Sequence, residues 1–314
     1  MMSNPRIADP AVSGTFLKHR VSGIDDLPPS CLIGLVGAGI QQSRSPGLHM
    51  REGASQGLHY IYNLIDTDVL ELGQADLPDL LIAAERMGYN GLNITYPFKQ
   101  TVIPLLDELS ANAKALGAVN TVVLRDGKRF GHNTDWCGFA DGFKRALPDV
   151  PKRRAVQIGA GGAGAAVAHA ALTLGIEELS IYDIQPERAA READHLCLRF
   201  GAGRAKATTE LETAVSAADG LIHCTPTGMA KMPGMAIPAD WLRPGLWVAE
   251  IVYFPLETEL LRAAKARGCR VADGGGMAVF QAVEAFRLFT GIRPDADRMR
   301  AHFAEWDKVA CTPS

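Results

Sequence analysis

The sequence predicts an α/β protein of about two domains with mostly parallel sheets. Three observations support this prediction. The 314 residues are enough for about two domains of ordinary size. Short apolar runs alternate with segments of helical apolar spacing, which is typical of mostly parallel sheets. A glycine-rich loop at residues 159–164 follows one such run and opens an alanine-rich helix.

The first half of the chain is predicted to alternate between strands and helices after an N-terminal extension. Residues 1–28 combine Pro, Gly, Ser and mixed charge, which indicates a loose extension or an edge element. Apolar spacing then predicts strands at 32–36, 59–65, 91–95 and 118–124, and helices at 46–56, 77–87 and 105–116.

The second half begins after a basic, Pro-containing linker at 148–154 and contains a clear βαβ pattern. That pattern is a strand at 155–158, the glycine loop, a helix at 165–174 and a strand at 179–182. Further strands are predicted at 220–223, 247–251 and 270–272. Three glycines at 274–276 predict a flexible stretch, and helices are predicted at 279–289 and 294–306.

Composition excludes several kinds of partner. The formal net charge is -3, without the basic stripe expected of a nucleic-acid-binding protein. The six cysteines are scattered without C-x-x-C or zinc-like spacing, so free thiols in a reducing cytoplasm are expected and no metal is predicted. No apolar run reaches the roughly 20 residues that span a membrane, and residues 1–5 lack a signal-peptide core. The sequence predicts a cytoplasmic protein that binds a small molecule, as a monomer or a homodimer.

The glycine loop fits the dinucleotide-binding pattern G-x-G-x-x-G. Its first glycine allows a tight turn, its second lets the backbone approach a pyrophosphate, and its third lets the helix pack on the strand. The N–H groups at the helix N-terminus then face the anion. The predicted cofactor-binding residues of the loop are Gly159, Ala160, Gly161, Gly162, Ala163 and Gly164.

An acidic residue at the end of the next strand selects between cofactors. The carboxylate of Asp183 can accept hydrogen bonds from ribose hydroxyls and would repel a 2′-phosphate, which favours NAD. Arg188 could instead stack on adenine or reach a phosphate. A second glycine cluster at 37–39 is interpreted as substrate-loop geometry. There Gln42 takes the third position, and Asp66 lies just beyond the predicted strand rather than ending it.

Polar residues before the glycine loop predict a binding site for a small polar molecule. In extended backbone Ser43 and Ser45 would point the same way and could hold a carboxylate beside a helix N-terminus. The alternative is an ordinary helix start, with Ser45 as N-cap and Pro46 as the first helical residue. Other polar residues lie at predicted strand ends, where ligands bind in open α/β sheets: Asn93, Thr95, Lys99, Asn120, Thr121, Asn133, Thr134 and Asp135.

Several motifs in a fixed order resemble the shikimate dehydrogenase family over roughly residues 33–289. Before the glycine loop they are Ser43 with Ser45, and the segments 93–99, 117–121 and 131–135. After it they are the segments 225–229, 252–255 and 276–281. The resemblance implies a mixed α/β substrate-binding domain at 1–131 and an NAD-binding, Rossmann-type domain with a doubly wound parallel sheet at 132–276. It also implies C-terminal helices at 277–314 that pack back on the first domain.

The resemblance also implies a role for each matching residue. Lys99 and Asp135 would form the catalytic proton-transfer pair at the alcohol that is oxidised. The substrate carboxylate would bind Ser43, Ser45 and Tyr253, and the ring hydroxyls would bind Thr95, Asn120, Asp135 and Gln281. The nicotinamide pocket would include Thr225, Met229, Gly276 and Met277.

Two positions depart from the family pattern. His223-Cys224 stands where the family usually has Asn, and Glu250 stands where it usually has Asp. By contrast, Asp183-Ile184-Gln185 resembles the NAD-preferring quinate/shikimate branch.

The expected activity is reversible NAD-dependent oxidation of a ring hydroxyl of shikimate or quinate to 3-dehydroshikimate or 3-dehydroquinate. The alternatives are an aminoshikimate-type dehydrogenase, a non-catalytic NAD-binding regulator, and an unrelated dinucleotide enzyme.

Overall fold

The computed structural model describes residues 28–310 of the chain, with side chains to residue 305. These residues form two compact units. Unit 1 contains residues 28–110, 119–132 and 283–299, and unit 2 contains residues 111–118, 133–282 and 300–310. The predicted domain boundaries, which assign a function to each part, stay a prediction. The predicted extension at 1–28 lies, apart from Pro28, outside the described residues.

Unit 1 contains a mixed six-stranded sheet in the order β2-β1-β3-β5-β6-β4. Strand β1 pairs in parallel with β2 and β3, whereas β5 is antiparallel to both of its neighbours. The strands are β1 Ser30–Gly37, β2 His59–Asp66, β3 Gly91–Ile94, β4 Glu108–Leu109, β5 Thr121–Arg125 and β6 Lys128–His132. The first two helices, α1 Ser45–Ser55 and α2 Leu77–Arg86, also belong to this unit.

An aromatic cluster forms much of the core of unit 1. The rings of Tyr60 and Phe286 stack with centroids 5.1 Å apart, and His49 lies 5.0 Å from the ring of Tyr62. Burial lowers the pKa of His49 to about 3, so this side chain stays neutral at physiological pH. Its Nδ1 lies 3.1 Å from the hydroxyl of Tyr60, which satisfies the buried ring nitrogen.

Unit 2 contains a six-stranded parallel sheet in the order β12-β11-β10-β7-β8-β9. Its strands are β7 Arg154–Ile158, β8 Glu178–Tyr182, β9 Ala205–Ala207, β10 Gly220–His223, β11 Trp247–Glu250 and β12 Arg270–Ala272. The direction of winding reverses between β7 and β10, and such a reversal opens a crevice at the carboxyl ends of the strands. This sheet confirms the predicted doubly wound architecture.

The remaining helices start in unit 2, except for α10, which starts in unit 1. They are α3 Ala111–Leu116, α4 Asp135–Ala146, α5 Gly162–Thr173, α6 Pro186–Phe200, α7 Leu211–Ala217, α8 Glu259–Ala266, α9 Gly274–Thr290 and α10 Ala296–Ala310. The first half of α9 belongs to unit 2 and its second half to unit 1. None of the helices within residues 28–310 is long and apolar enough to cross a membrane.

The predicted helix at 105–116 is wrong over its first half. Leu105 ends a single 3₁₀ turn, Glu108–Leu109 forms β4, and only Ala111–Leu116 is helical. The reason is the hairpin of β5 and β6, which the apolar pattern did not reveal. Glu108 pairs with Phe130 of β6, so strand pairing prevails over the local helical spacing.

The predicted flexible stretch at 274–276 is also wrong, because these glycines form the first turn of α9. A Cβ atom at Gly274 would lie 2.4 Å from the carbonyl oxygens of both Ile251 and Val252. At Gly276 it would lie 3.3 Å from the Cα of Gly142 in α4. Glycine is therefore needed at Gly274 for close backbone packing rather than for flexibility.

A buried ion pair in unit 1 fastens the start of α10 to α1. The carboxylate of Glu52 is enclosed and accepts hydrogen bonds from Arg298 Nη2 at 2.7 Å, Arg298 Nε at 2.8 Å and the Asp295 amide at 2.9 Å. Burial raises the pKa of Glu52, but the hydrogen bonds from Arg298, Asp295 and Gln56 and the charge of Arg298 outweigh it and hold the pKa below 4.5.

We expect Glu52→Gln to lower the free energy of unfolding by about 2 kcal/mol at neutral pH, because Arg298 loses its buried charged partner. Since folding lowers the pKa of Glu52, its stabilisation is fully present above the ordinary value of 4.5 and is lost as pH falls through the folded value. Urea unfolding at a series of pH values should therefore show that the difference in the free energy of unfolding between wild type and variant becomes smaller in acid.

The matched control is Glu284→Gln, which removes a Glu–Arg pair with Arg287 that is about a third exposed. That change should cost less than about 1 kcal/mol. Equal losses for the two variants would contradict the role assigned to burial at Glu52.

Candidate active site

The glycine loop joins β7 to α5 at the point where the sheet of unit 2 reverses its winding. Gly159 has a φ of 101°, which favours glycine, and α5 begins at Gly162 with Gly161 as its N-cap. A Cβ atom at Gly164 would lie 2.4 Å from the carbonyl oxygen of Gly159. By contrast, a Cβ at Gly161 or Gly162 would meet nothing within 4 Å. The protein's own packing thus requires the first and third glycines of the pattern, and the middle of the loop is open for close approach by a ligand.

Sequence reasoning missed the residue that holds this loop. Gln157 of β7 is fully buried, and its Nε2 donates to the carbonyl oxygens of Gly159 and Gly164, each at 2.9 Å. Both ends of the loop are therefore tied to one side chain. One sequence signal could have revealed this role: a single amide side chain stands in an apolar strand that leads into the glycines. A buried amide needs hydrogen-bond partners, and the loop is the nearest source of them.

Asp183 follows β8 and faces the same loop. Its Oδ2 accepts from the Ala160 amide at 2.8 Å, and its Oδ1 accepts from the Gln185 amide at 2.8 Å. The carboxylate is therefore fixed beside the glycine loop. Arg188 lies exposed in the first turn of α6, and its amide donates to the carbonyl of Gln185. Ala163 lies in the first turn of α5.

The segment after β10 lies against the first glycine of the loop. A Cβ at Gly159 would lie 2.6 Å from the carbonyl oxygen of Cys224 and 3.1 Å from Cγ2 of Thr225. The structure thus places Thr225 beside the glycine loop, and its role in cofactor binding stays a prediction. Met229, four residues further, is 41% exposed. Gly276 and Met277 lie in the first turn of α9, where their backbone packs on Gly138 and Gly142 of α4.

One reason given for separating the second glycine cluster from the cofactor loop is wrong. Strand β2 does end on an acid, Asp66. Its carboxylate accepts from the amides of Gly39 and Ile40 and from Gln41 Nε2, each at 3.0 Å. The real difference is that no helix starts at this loop, because α1 begins only at Ser45.

Unit 1 brings several predicted substrate residues together at the carboxyl end of β3. Asn93 Nδ2 donates to the Asn120 carbonyl at 3.2 Å and to Thr121 Oγ1 at 3.0 Å. The Thr121 hydroxyl donates to Asn120 Oδ1 at 3.0 Å. Tyr62, which sequence reasoning missed, donates its hydroxyl to Asn93 Oδ1 at 2.8 Å. The alternation of Tyr60 and Tyr62 in β2 was a signal only for burial, so this contact became visible in the structure.

The two serines do not lie in extended backbone, so that part of the prediction is wrong. Arg44 has helical angles (φ −84°, ψ −7°) and is the N-cap of α1, with Ser45 already inside the helix. Ser45 is therefore not the N-cap either. The Ser45 amide donates to Ser43 Oγ at 3.3 Å, and the Ser45 side chain hydrogen-bonds Tyr62. Burial raises the pKa of Tyr62, so its phenol stays neutral and can donate to Asn93.

Lys99 and Thr95 lie in the turn that follows β3. The Thr95 amide donates to the Val36 carbonyl at 3.0 Å, and the Lys99 carbonyl accepts from the Val119 amide at 2.8 Å. The backbone of Lys99 is thereby tied next to Asn120, which directly precedes β5, and Thr121, the first residue of β5. Lys99 is half-buried, and Phe98 beside it is 1% exposed and anchors the turn.

Three other predicted residues belong to unit 2. Asp135 is the first residue of α4 and is buried, and its amide donates to Asn133 Oδ1 at 3.0 Å. Gln281 Oε1 accepts from the Thr134 hydroxyl at 3.4 Å. Tyr253 is 43% exposed, and its ring centroid lies 6.3 Å from that of Phe303. The pairing of Lys99 with Asp135 therefore stays a prediction.

Among the described residues, no group of three or more His, Cys, Asp or Glu side chains could hold a metal ion. The reversal of the sheet, the glycine loop and the acid after β8 define the class of the chain, a Rossmann-type dinucleotide-binding protein with a second α/β unit.

Comparisons with known proteins identify the family. Residues 35–122 match a model of the shikimate dehydrogenase substrate binding domain, and residues 274–302 match one of the shikimate 5′-dehydrogenase C-terminal domain. A shikimate dehydrogenase (NADP⁺) of Streptomyces avermitilis is 58% identical over 278 residues, or 88% of this chain and 96% of the relative. A quinate/shikimate dehydrogenase (NAD⁺) of Corynebacterium efficiens is 49% identical over 277 residues, or 87% of this chain and 98% of the relative.

A solved structure supports the same family assignment. Quinate dehydrogenase from Corynebacterium glutamicum, in complex with NAD, superimposes with a TM-score of 0.84 at 46% identity, covering 88% of this chain and 99% of the other. The chain belongs to the shikimate dehydrogenase family.

We expect Gly164→Ala to lower the free energy of unfolding of the cofactor-free protein by about 1–3 kcal/mol, because the added methyl group meets the backbone oxygen of Gly159. Gly162→Ala is the matched control: its methyl group enters open space at the start of α5, so stability should stay equal or rise by up to about 1 kcal/mol. Chemical denaturation measures both. A stable Gly164→Ala protein would show that the loop does not depend on this contact.

Proposed function

We propose that this chain is a cytoplasmic, NAD-dependent quinate/shikimate dehydrogenase. It would reversibly oxidise a ring hydroxyl of quinate or shikimate to 3-dehydroquinate or 3-dehydroshikimate. The observation that supports the proposal is the hydrogen bond from the Val119 amide to the Lys99 carbonyl, next to Asn120, in a chain of this family. It holds the backbone of Lys99 beside the buried network of Asn93, Asn120 and Thr121, whose amides and hydroxyls suit a polyhydroxylated ring.

The residues of the glycine loop fit a dinucleotide. Gly161 and Gly162 leave open space at the N-terminus of α5, where backbone N–H groups favour a pyrophosphate. Thr225, Met229, Gly276 and Met277 are proposed for the nicotinamide end. Bound NAD supplies the hydride acceptor of the reaction.

The proton transfer is assigned to Lys99 and Asp135. During reduction, Lys99 as an ammonium group would donate a proton to the developing alkoxide and stabilise its charge, and Asp135 would share that proton. During oxidation the same groups would remove the hydroxyl proton. Ser43, Ser45 and Tyr253 are proposed to bind the substrate carboxylate, and Thr95, Asn120 and Gln281 the ring hydroxyls.

The preference for NAD over NADP rests on Asp183. Its carboxylate is fixed against the amides of Ala160 and Gln185, so it cannot swing away from a 2′-phosphate without losing both bonds. A dianionic phosphate beside a carboxylate is strongly disfavoured, whereas ribose hydroxyls can donate to it. One relative is named for NADP⁺ and another for NAD⁺, so the names do not decide between the cofactors. The argument for NAD is therefore the fixed position of the Asp183 carboxylate.

The direct test is the initial rate of NADH or NADPH formation by the purified protein, with quinate and shikimate each paired with NAD and NADP. Activity with NAD on one or both acids, and little with NADP, is the expected result. A preference for NADP with shikimate alone would contradict the role of Asp183. No activity in any of the four assays, in a protein that still binds NAD, would favour an aminoshikimate-type substrate or a non-catalytic regulator.

Lys99→Ala should lower turnover at least roughly a hundredfold, because the positioned proton donor is lost. Lys114→Ala removes a lysine from the exposed face of α3 and serves as the control, with no expected change in turnover. Steady-state rates and circular dichroism should be recorded for both proteins. Normal turnover of a folded Lys99→Ala protein would overturn the catalytic assignment.

Asp183→Asn should raise the ratio of kcat/KM for NADP to kcat/KM for NAD by about tenfold or more. The amide oxygen can still accept one backbone hydrogen bond, while the negative charge that repels the 2′-phosphate is gone. Asp194→Asn, an exposed aspartate on α6, removes the same charge elsewhere and should leave the ratio unchanged. An unchanged ratio in Asp183→Asn would assign cofactor choice to other residues.

A further inference from the structure

The two residues that depart from the family pattern contact each other. His223 and Glu250 end the adjacent strands β10 and β11 and are register partners. Their side chains are almost fully buried, and His223 Nδ1 lies 2.9 Å from both carboxylate oxygens of Glu250. On the other side of the ring, Nε2 lies 2.5 Å from Thr225 Oγ1. A continuous chain of hydrogen bonds therefore runs from Glu250 through His223 to Thr225.

The surroundings of Glu250 fix the direction of this chain. The amides of Ile251 and Val252 can only donate, and they donate to Glu250 Oε1 at 2.9 and 3.0 Å. The Thr258 hydroxyl, which accepts from Leu261 N at the start of α8, donates to Oε2 at 3.2 Å. Both carboxylate oxygens of Glu250 thus act as acceptors, and in this arrangement His223 bonds Glu250 as a donor, with a proton on Nδ1.

Cys224, which lies between His223 and Thr225 in the sequence, is a neutral thiol. Burial and the negative charge of Glu250 both raise the pKa of this thiol well above 9.0, so it stays neutral. With Cys224 uncharged, the charge of Glu250 is offset by the donors that surround it.

The tautomer of His223 then decides whether the Thr225 hydroxyl donates a hydrogen bond to the ring or accepts one from it. In the neutral ring with its single proton on Nδ1, the Nε2 lone pair accepts the hydroxyl hydrogen of Thr225. The Thr225 oxygen also accepts from the Thr227 amide at 3.3 Å, which shapes the turn. Thr225 is half-buried beside Gly159, so its remaining lone pair can act only as an acceptor at the edge of the glycine loop.

We propose that His223 and Glu250 are positioning residues that hold the Thr225 hydroxyl as a hydrogen-bond acceptor for an N–H donor of the bound dinucleotide. The inference rests on the proposed function for the identity of that ligand. A carboxamide N–H is the donor that a nicotinamide cofactor offers. The Glu250–His223 pair acts only through Thr225 and touches neither the substrate nor the reacting atoms.

The first test is ¹⁵N NMR of the histidine ring in the cofactor-free protein at neutral pH, with the His223 signal identified by its absence in His223→Asn. We expect the Nδ1-protonated tautomer, and loss of that preference in Glu250→Gln. An Nε2-protonated ring in the wild-type protein would overturn the proposal before any cofactor is added.

The second test is a double-mutant cycle read by calorimetric titration with NAD. His223→Asn keeps an amide that faces Glu250 but cannot reach Thr225, and Thr225→Val removes the hydroxyl at constant shape. Each single change should raise the Kd of NAD about tenfold, and the double variant should be no weaker than either, because both changes break one chain of bonds. If the Kd of NAD for the double variant were about a hundredfold higher than for the wild type, the two single effects would be independent and the proposal would be overturned.

Two further variants keep the test specific. Thr225→Ser retains the hydroxyl and should bind NAD more tightly than Thr225→Val, whereas Thr213→Val removes an exposed hydroxyl in α7 and should have no effect.

If His223→Asn does not fold, the comparison of Thr225→Val with Thr225→Ser and the wild-type NMR spectrum still decide. A wild-type protein that binds NAD with the expected coupling yet oxidises no ring acid would contradict the proposed function and leave this inference intact.

Discussion

The geometry of unit 2 depends on one backbone contact, the packing of Gly164 against the carbonyl of Gly159. The contact leaves no room for a Cβ atom, and Gln157 bonds the carbonyls of both residues. It sets where α5 starts relative to β7, and therefore where its unpaired N–H groups point. The segment after β10 rests on the same glycine, so Thr225 is placed by this contact as well.

A second constraint acts at the strand ends of both units: polar side chains buried there need hydrogen-bond partners. At the end of β3 the amide of Asn93 is saturated by Tyr62, Asn120 and Thr121. At the ends of β10 and β11, His223 and Glu250 satisfy each other. Because a buried polar group without a partner costs about 1–3 kcal/mol, such networks hold side chains in one orientation. They hold the strand ends in a defined geometry.

The errors of sequence reasoning share a cause. The 105–116 segment has helical spacing, yet residues 108–109 join a strand because the β5–β6 hairpin offers them a partner. The glycines at 274–276 suggested flexibility, yet Gly274 packs against the backbone of residues 251 and 252. In each case a contact with residues far along the chain overrode the local pattern, and local patterns carry no record of such contacts.

The sequence by itself determined the α/β class, the position of the glycine loop and the acid at the end of β8, since each depends on local periodicity and on residue types with narrow conformational roles. It also placed nearly all the strands of the second unit within about a residue. The tertiary structure alone decided that Gln157 clamps the loop, that Tyr62 orients Asn93, and that His223, Glu250 and Thr225 form one chain. Hydrogen bonds between strands are set by sheet order and register, and these emerge only when the whole chain is packed.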